Sequence, residues 1–315
     1  MTRHFITIEA LGDSDLASIY DYAVAPIDDE LMKGQGVALV FERPSVRTRA
    51  SSSTAVHELG GFVTFFNDEE MGLDTRESAE DIARTLSQMY AISALRVRHH
   101  GIFARMRGAS ADQMSLINLL SDVAHPTQAV ADVLALAEHF ANGEVSGLRG
   151  LEVAYVGDVT NVTRSLAVAL LRLGVNVTLG APEGYQLLAG GEEDPEAVQG
   201  PGVLRLSSVA LDAVKNADAV YTDAWVSMGF EDQVAQRRRD LGAFRVDEAL
   251  LAGASQGAVV MHCLPAHRGD EITDEVLDGP RSLVWRQAYH RRTAMRGVLR
   301  WIKETSCPRR SASTE

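Results

Sequence analysis

The sequence predicts an α/β protein made of two doubly wound, parallel-sheet domains, and three observations carry that prediction. A chain of 315 residues holds two domains at about 150 residues each. From residue 37 onward, short β-rich runs alternate with helix-patterned stretches, as they do where crossover helices join parallel strands. Near residue 151 a strand, a glycine turn and a helix start the pattern again.

In the first domain, 36–41 (GVALVF), 61–66 (GFVTFF), 92–97 and 115–119 read as strands. Between the second and third, Ile82, Leu86 and Met89 trace one helical face, with Glu77, Glu80 and Asp81 in the first turn complementing the helix dipole. From Pro126, the residues Val130, Val133, Leu134, Ala137 and Phe140 keep the spacing of an amphipathic helix about four turns long, which Asn142-Gly143 ends. The second domain opens with strand 151–156, turns at Gly157-Asp158, and continues in a helix carrying Val162, Leu166, Leu170 and Leu173 and a strand at 175–179. Residues 190–202, rich in Gly, Glu, Asp and Pro, form a surface excursion. Runs 217–222 and 258–263 supply further strands, 288–304 a closing helix, and CPRRSASTE a frayed tail.

Composition narrows the function. Asp and Glu number 43 against 30 Lys and Arg, a net charge of −13 that repels nucleic acid and anionic membranes, so neither is expected as a partner. The only lysines are Lys33, Lys215 and Lys303, and no Gly-Lys pair occurs, which excludes P-loop nucleotide hydrolysis. An anion site in this chain is therefore expected to be built from arginine, whose planar fork matches phosphate and carboxylate oxygens. Cys263 and Cys307 give neither a disulfide framework nor a Cys-x-x-Cys knuckle, which fits a reducing cytosol. Glu9, Asp13 and Asp15 stand where a signal peptide needs its apolar stretch, and no run approaches the ~18 apolar residues of a membrane span. The expectation is a soluble, cytoplasmic protein.

Residues 44–49 (PSVRTR) lie where a strand ends and a helix begins, with Ser45 as the N-cap. First-turn amides attract an anion, and Arg47 and Thr48 would add a fork and a hydroxyl; the alternative is an ordinary cap with two solvated arginines. Arg47 and Arg49 stand roughly 200° apart on a helix of ~3.6 residues per turn, so only one can face the ligand. His125-Pro126-Thr127-Gln128 places proline at the first helical position, either as a plain helix start or with His125 and Gln128 aimed at one ligand. Arg98 follows a strand, where open α/β sheets assemble their ligand crevice, although a solvated arginine is the commoner case. The turn 157–161 (GDVTN) sits like a dinucleotide fingerprint but lacks its second and third glycines. Neighbours on a strand point to opposite faces, so His262 is not expected to activate Cys263, which reads as a buried structural cysteine. The spacing of His262 and His267 matches no metal signature, and no metal or cofactor is assigned.

Taken in order, 45–49 (SVRTR), 125–128 (HPTQ), 223–229 (DAWVSMG) and 262–269 (HCLPAHRG) resemble the ornithine carbamoyltransferases of the aspartate/ornithine carbamoyltransferase family. The resemblance runs from Arg3-His4-Phe5 to the closing helix, and Ser-Met-Gly with Cys-Leu-Pro separates it from the aspartate branch. It implies a carbamoyl phosphate domain (1–142) and an amino-acid domain (148–287) joined by interdomain helices. A closing helix (288–305) would pack back onto the first domain, and the assembly would be a homotrimer with active sites near subunit boundaries. By the resemblance, Ser45, the Val46 amide, Arg47, Thr48 and Arg98 hold the phosphate, and Arg98, Thr48 and His125 polarise the carbamoyl oxygen. Gln128, the Leu264 carbonyl and Arg291 orient the carbamoyl group. Asn161, Asp223, Ser227 and Met228 grip the α-amino and α-carboxylate groups of ornithine, with Cys263 beside its side-chain amine. The implied catalytic residues are Arg98, His125, Cys263 and Arg291, in a carbamoyl transfer from carbamoyl phosphate to ornithine that needs no cofactor.

Several positions depart from the family pattern. Val46 replaces threonine, Ser52-Ser53 a Phe-Glu pair, Val159-Thr160 a pair such as Gly-Asn, and Arg164 a frequent histidine. Arg286 replaces an acid, Tyr289-His290 replaces Glu-Asn, and 69–77 (EEMGLDTRE) lacks the usual form of the loop that reaches a neighbouring subunit. These departures leave two alternatives open: a transcarbamoylase for a different amine, or a catalytically degenerate phosphate-binding homologue. Retention of Arg47, Thr48, Arg98, His125, Gln128 and Arg291 weighs against the second.

Overall fold

Four apolar runs, β1 (Gly36–Phe41), β2 (Phe62–Asn67), β3 (Ile92–Arg96) and β4 (Ser115–Leu120), pair in parallel in the order β2-β1-β3-β4. Apart from their end residues, β1 and β3 are buried along their length, as strands covered on both faces are. Ala38, Val40 and Leu95 meet Ile82, Leu86, Phe103 and Met106 from the Ala79–Ser87 and Ile102–Ala109 helices in one continuous core. The computed structural model describes residues 2–187, 191–226 and 231–304. This first unit comprises the residues up to Thr127 and those from Arg291 onward.

The second unit, Gln128–His290, carries β5 (Glu152–Val156), β6 (Asn176–Gly180), β7 (Leu204–Ser207), β8 (Ala219–Thr222) and β9 (Val259–His262). All pair in parallel, in the order β7-β6-β5-β8-β9. Its core joins Ala154, Val156, Val220 and Val260 to Phe244, Leu250 and Val276. Each sheet has a topological switch point, at β1/β3 in the first and β5/β8 in the second, where successive crossovers leave in opposite directions. Open α/β sheets bind ligands outside the carboxyl ends of the strands at that point.

The units part inside two helices, Pro126–Ala141 and Val284–Glu304. The later turns of Val284–Glu304 lie in the first unit. There a Cβ at Gly297 would stand 2.4 Å from the Ile19 carbonyl oxygen, so only glycine permits this approach to the Asp13–Val24 helix. Trp301 Nε1 donates to Asp15 (2.9 Å), and Arg296 donates to the Ala23 carbonyl (2.7 Å).

Several expectations need correction. The Ala79–Ser87 helix ends before Met89, which is 63% exposed, and Glu77 precedes the Ser78 cap, so the apolar face stops at Leu86 and the first-turn acids are Glu80 and Asp81. The closing helix starts at Val284 rather than at residue 288. Helices Asp13–Val24, Ile102–Ala109 and Val234–Leu241 and strand β7 were not anticipated; β7 is an edge strand whose middle residues are exposed, so it lacks an apolar run. Among the described residues no helix is long and apolar enough to cross a membrane.

Candidate active site

The first crevice opens where β1 and β3 end. Ser45 caps the Val46–Glu58 helix, its Oγ accepting from the Thr48 amide (3.3 Å) and donating to Thr48 Oγ1 (3.0 Å). Thr48 Oγ1 also accepts from Arg291 Nη2 (2.6 Å). With two donors aimed at its lone pairs, the Thr48 hydroxyl is set to act as a donor itself. Val46 is 83% exposed, which leaves its side chain without a packing role and its backbone amide in the first turn. Arg49 lies against Phe65, 3.7 Å above the ring centroid, so Arg47 is the arginine of the pair turned toward His125.

His125 is buried immediately before the Pro126–Ala141 helix. Burial, reinforced by the positive charges of Arg291, Arg96 and Arg47, holds its pKa well below the usual histidine value. It is therefore a neutral imidazole at neutral pH, able to donate a hydrogen bond without carrying a charge. Arg96, inside β3, is a member of this basic group that the sequence reading missed; an arginine closing an otherwise apolar strand was the available signal. Arg98 behaves differently. Its Nη2 is paired with Asp68 Oδ2 (2.6 Å), and its backbone N–H donates to the buried Glu42 carboxylate (2.6 Å). The structure thus gathers Ser45, Arg47, Thr48, His125 and Arg291, and turns the Arg98 guanidinium onto a carboxylate.

The second crevice opens where β5 and β8 end, with β9 beside them. Gly157 ends β5 at φ 129°, a conformation open to glycine, and a Cβ there would meet Thr222 Oγ1 at 3.4 Å and Trp225 Nε1 at 3.5 Å. Asn161 begins the Asn161–Arg172 helix, its Oδ1 accepting from the Val162 amide (2.9 Å). Asp223 Oδ1 accepts from the Ala224 amide (2.7 Å) and from the Cys263 thiol (2.9 Å). Behind them Arg237 pairs with Asp158 (2.5 Å) and donates to the Trp225 carbonyl (2.8 Å). Burial raises the Asp158 pKa despite that arginine, so the ion pair does not fully offset desolvation. Ser227 and Met228, expected on the amino-acid groups, lie outside the described residues.

The expected separation of His262 from Cys263 needs correction. β9 ends at His262 and the chain turns at once, with Leu264 at φ 61° and a cis Leu264–Pro265 peptide, so strand alternation no longer applies at Cys263. The ligand-type atoms of Asp223, His262 and Cys263 lie within 4.8 Å of one another. His262 Nδ1 accepts from the Leu264 amide (2.8 Å), which places the ring proton on Nε2, facing Glu271 (3.2 Å). Asp132 was also missed. Fully buried on the Pro126–Ala141 helix, it accepts from Gln128 Nε2 (2.7 Å), Gln287 Nε2 (2.8 Å) and the Tyr221 hydroxyl (2.9 Å). The departures at 286 and 290 belong together: Arg286 (2.7 Å) and His290 (2.9 Å) both bind Glu138. Tyr289 remains 42% exposed, with the Arg286 guanidinium over its ring.

Comparison with known proteins places this chain among relatives. Residues 3–138 match the aspartate/ornithine carbamoyltransferase carbamoyl-P binding domain, and residues 149–302 the Asp/Orn binding domain of the same family. The chain is 39% identical to an ornithine carbamoyltransferase of Acidothermus cellulolyticus, covering 97% of this chain and 98% of the relative. An anabolic ornithine carbamoyltransferase of Pyrococcus furiosus is 38% identical, covering 85% of this chain and 84% of the relative. The solved ornithine carbamoyltransferase structure from P. furiosus superposes with a TM-score of 0.87 at 34% identity, covering 96% of this chain and 97% of that one.

Proposed function

Because the chain belongs to the aspartate/ornithine carbamoyltransferase family, we propose that it transfers the carbamoyl group of carbamoyl phosphate to the side-chain amine of L-ornithine, giving L-citrulline and phosphate. The observation that carries this reading is 39% identity to an ornithine carbamoyltransferase over nearly the full length of both chains. The two crevices give it chemistry. The first offers first-turn amides, the Thr48 hydroxyl, arginines and a neutral histidine to an anion with a carbamoyl oxygen. The second offers the Asp223 carboxylate, with Cys263 beside it, to an ammonium, and Asn161 at the start of its own helix.

A neutral amine attacks the carbamoyl carbon, charge builds on its oxygen, and Arg98, Thr48 and His125 donate to that oxygen; the carbon–oxygen bond to phosphate then breaks, and the phosphate leaves with the proton that the amine sheds. No covalent enzyme intermediate is involved. Gln128, the Leu264 carbonyl and Arg291 orient the carbamoyl group; Ser45, Val46 and Arg47 complete the phosphate contacts. Asn161, Asp223, Ser227 and Met228 hold the α-amino and α-carboxylate groups. The reading extends to a cytoplasmic homotrimer. The segment before the Ala79–Ser87 helix has exposed residues at 74–77, and its Asp74 is held within its own chain by Arg105 (2.5 and 2.8 Å). Sedimentation reads the assembly state, and a fully active monomer would overturn the trimer.

A citrulline assay across several amines tests the reaction. Ornithine is expected to be carbamoylated well, lysine poorly and putrescine worse still, because an amine without an α-carboxylate leaves the carboxylate-binding donors unpaired, at ~1 to 3 kcal/mol for each one that is buried. A better kcat/KM with putrescine would replace ornithine by a different amine, and no turnover of any amine would leave a phosphate-binding homologue.

A further inference from the structure

Asp132 has no place in the reaction described so far, yet it is fully buried and accepts hydrogen bonds from three side chains. An ionised carboxylate only accepts, so a glutamine facing it must present its amide nitrogen. Gln287 shows the consequence. Its Nε2 donates to Asp132 Oδ1 (2.8 Å), and its Oε1, at the other end of the amide, accepts from the His262 backbone N–H (2.9 Å). Gln128 meets the same oxygen with Nε2 at 2.7 Å, one helical turn before Asp132, so its amide has the same sense and presents Oε1 away from the carboxylate. The Tyr221 hydroxyl, 2.9 Å from Oδ2, helps fix the carboxylate itself.

We infer that Asp132 is a positioning residue that makes Gln128 an obligate acceptor, so that the site selects an acyl phosphate carrying an N–H donor beside its carbonyl. This rests on the proposed function, because it assigns Gln128 to the carbamoyl group. An acceptor at that place pairs with the carbamoyl amino group and is left unpaired by a methyl group of the same size. Asparagine at position 132 offers both a donor and an acceptor, so the Gln128 amide could pair with it in either sense and its orientation would no longer be fixed.

Acetyl phosphate, with a methyl in place of the amino group, is the probe. Asp132→Asn is expected to lower kcat/KM for carbamoyl phosphate about tenfold while the inhibition constant of acetyl phosphate, measured in competition with carbamoyl phosphate, changes less than about twofold. In a Gln128→Ala background the same substitution should cost no further activity, since Asp132 acts through Gln128. Tyr221→Phe, which removes one donor and keeps the ring, should shift the selectivity in the same direction by a smaller factor, and it reads the network if Asp132→Asn does not fold. Absence of citrulline from the unaltered protein would overturn the functional reading and this inference with it. With citrulline formed, equal weakening of both acyl phosphates, unchanged selectivity, or a full extra loss in the Gln128→Ala background overturns the inference alone.

Discussion

The crevice at the ends of β1 and β3 and the crevice at the ends of β5 and β8 arise from the same topology and carry opposite charge. In each, a strand runs into a short turn and a helix N-terminus, beside the strand across the switch point. Around the first stand Arg47, Arg96 and Arg291, close enough for their charges to act on His125. Around the second stand Asp158 and Asp223, with Arg237 behind. The helix N-terminus favours an anion in both, so the side chains decide the ligand: arginines reinforce the dipole for a phosphate, and carboxylates override it for an ammonium. One supersecondary unit can serve opposite chemistries when a handful of residues at strand ends change.

Substitutions can break this contrast from either side. The largest effect is expected at the buried Arg237–Asp158 pair, whose side chains are 6% and 13% exposed. Arg237→Met leaves Asp158 as an unpaired buried acid and should lower unfolding free energy by about 3–5 kcal/mol in urea melts, with the loss partly recovered in an Arg237→Met, Asp158→Leu double variant. In the first crevice, Arg98→Ala should reduce kcat/KM by ~3 kcal/mol in transition-state stabilisation through loss of a donor to the carbamoyl oxygen. Unchanged turnover would remove Arg98 from the site, leaving only its pair with Asp68.

His125 gives a pH signature. Its folded-state pKa lies well below the model-peptide 6.5, so the unfolded chain binds a proton that the folded chain does not. The stability this contributes is fully present above pH 6.5 and is lost as pH falls below it, at up to ~1.4 kcal/mol per pH unit. His4 and His290, also lowered chiefly by burial, add slopes of the same sign. His125→Gln should flatten the acid limb of stability in melts taken from about pH 7 to pH 5, and an unchanged limb would deny the histidine its buried, neutral state. In the second crevice, Cys263→Ser should raise KM for ornithine by about tenfold or less without changing carbamoyl phosphate affinity. An S-carbamoyl adduct (a thiocarbamate) trapped on Cys263 would contradict the direct-transfer mechanism. The smallest change is expected for Arg49→Ala, which loses a ring contact of ~0.5 kcal/mol and leaves activity intact, against a severe loss for Arg47→Ala.

The sequence revealed the parts of this contrast that depend on local pattern. Apolar runs between turns located the strands that form both switch points, and Ser45 and Pro126 marked helix starts by their capping chemistry. Less was legible where no apolar pattern exists: β7 is an exposed edge, and Val234–Leu241 (VAQRRRDL) has no continuous hydrophobic stripe although its Arg237 is buried. Residue roles came from the family resemblance, while the pairings that fix those residues came from the fold. The i, i+4 spacing pairs Gln128 with Asp132 on one helix, but nothing in the sequence joins Tyr221 and Gln287 to them, because three separate segments converge on one carboxylate. Nor could alternation along β9 place Cys263, since the strand stops one residue earlier.

Among the described residues the cations acting on His125 are guanidinium groups, and in a protein that handles carbamoyl phosphate this has a consequence for its own durability. A lysine beside the carbamoyl carbon would be a second amine within reach of an activated acyl group, and each encounter could cap it irreversibly as a urea. Guanidinium stays protonated at any working pH and holds no lone pair ready for attack, so it can draw the phosphate close without becoming the acceptor. Of the lysines, Lys33 is an exposed partner of Glu30 and Lys303 donates to Gln35. A first crevice whose described cations are arginines keeps them chemically inert toward the molecule they bind, and reserves the attacking amine for the second substrate.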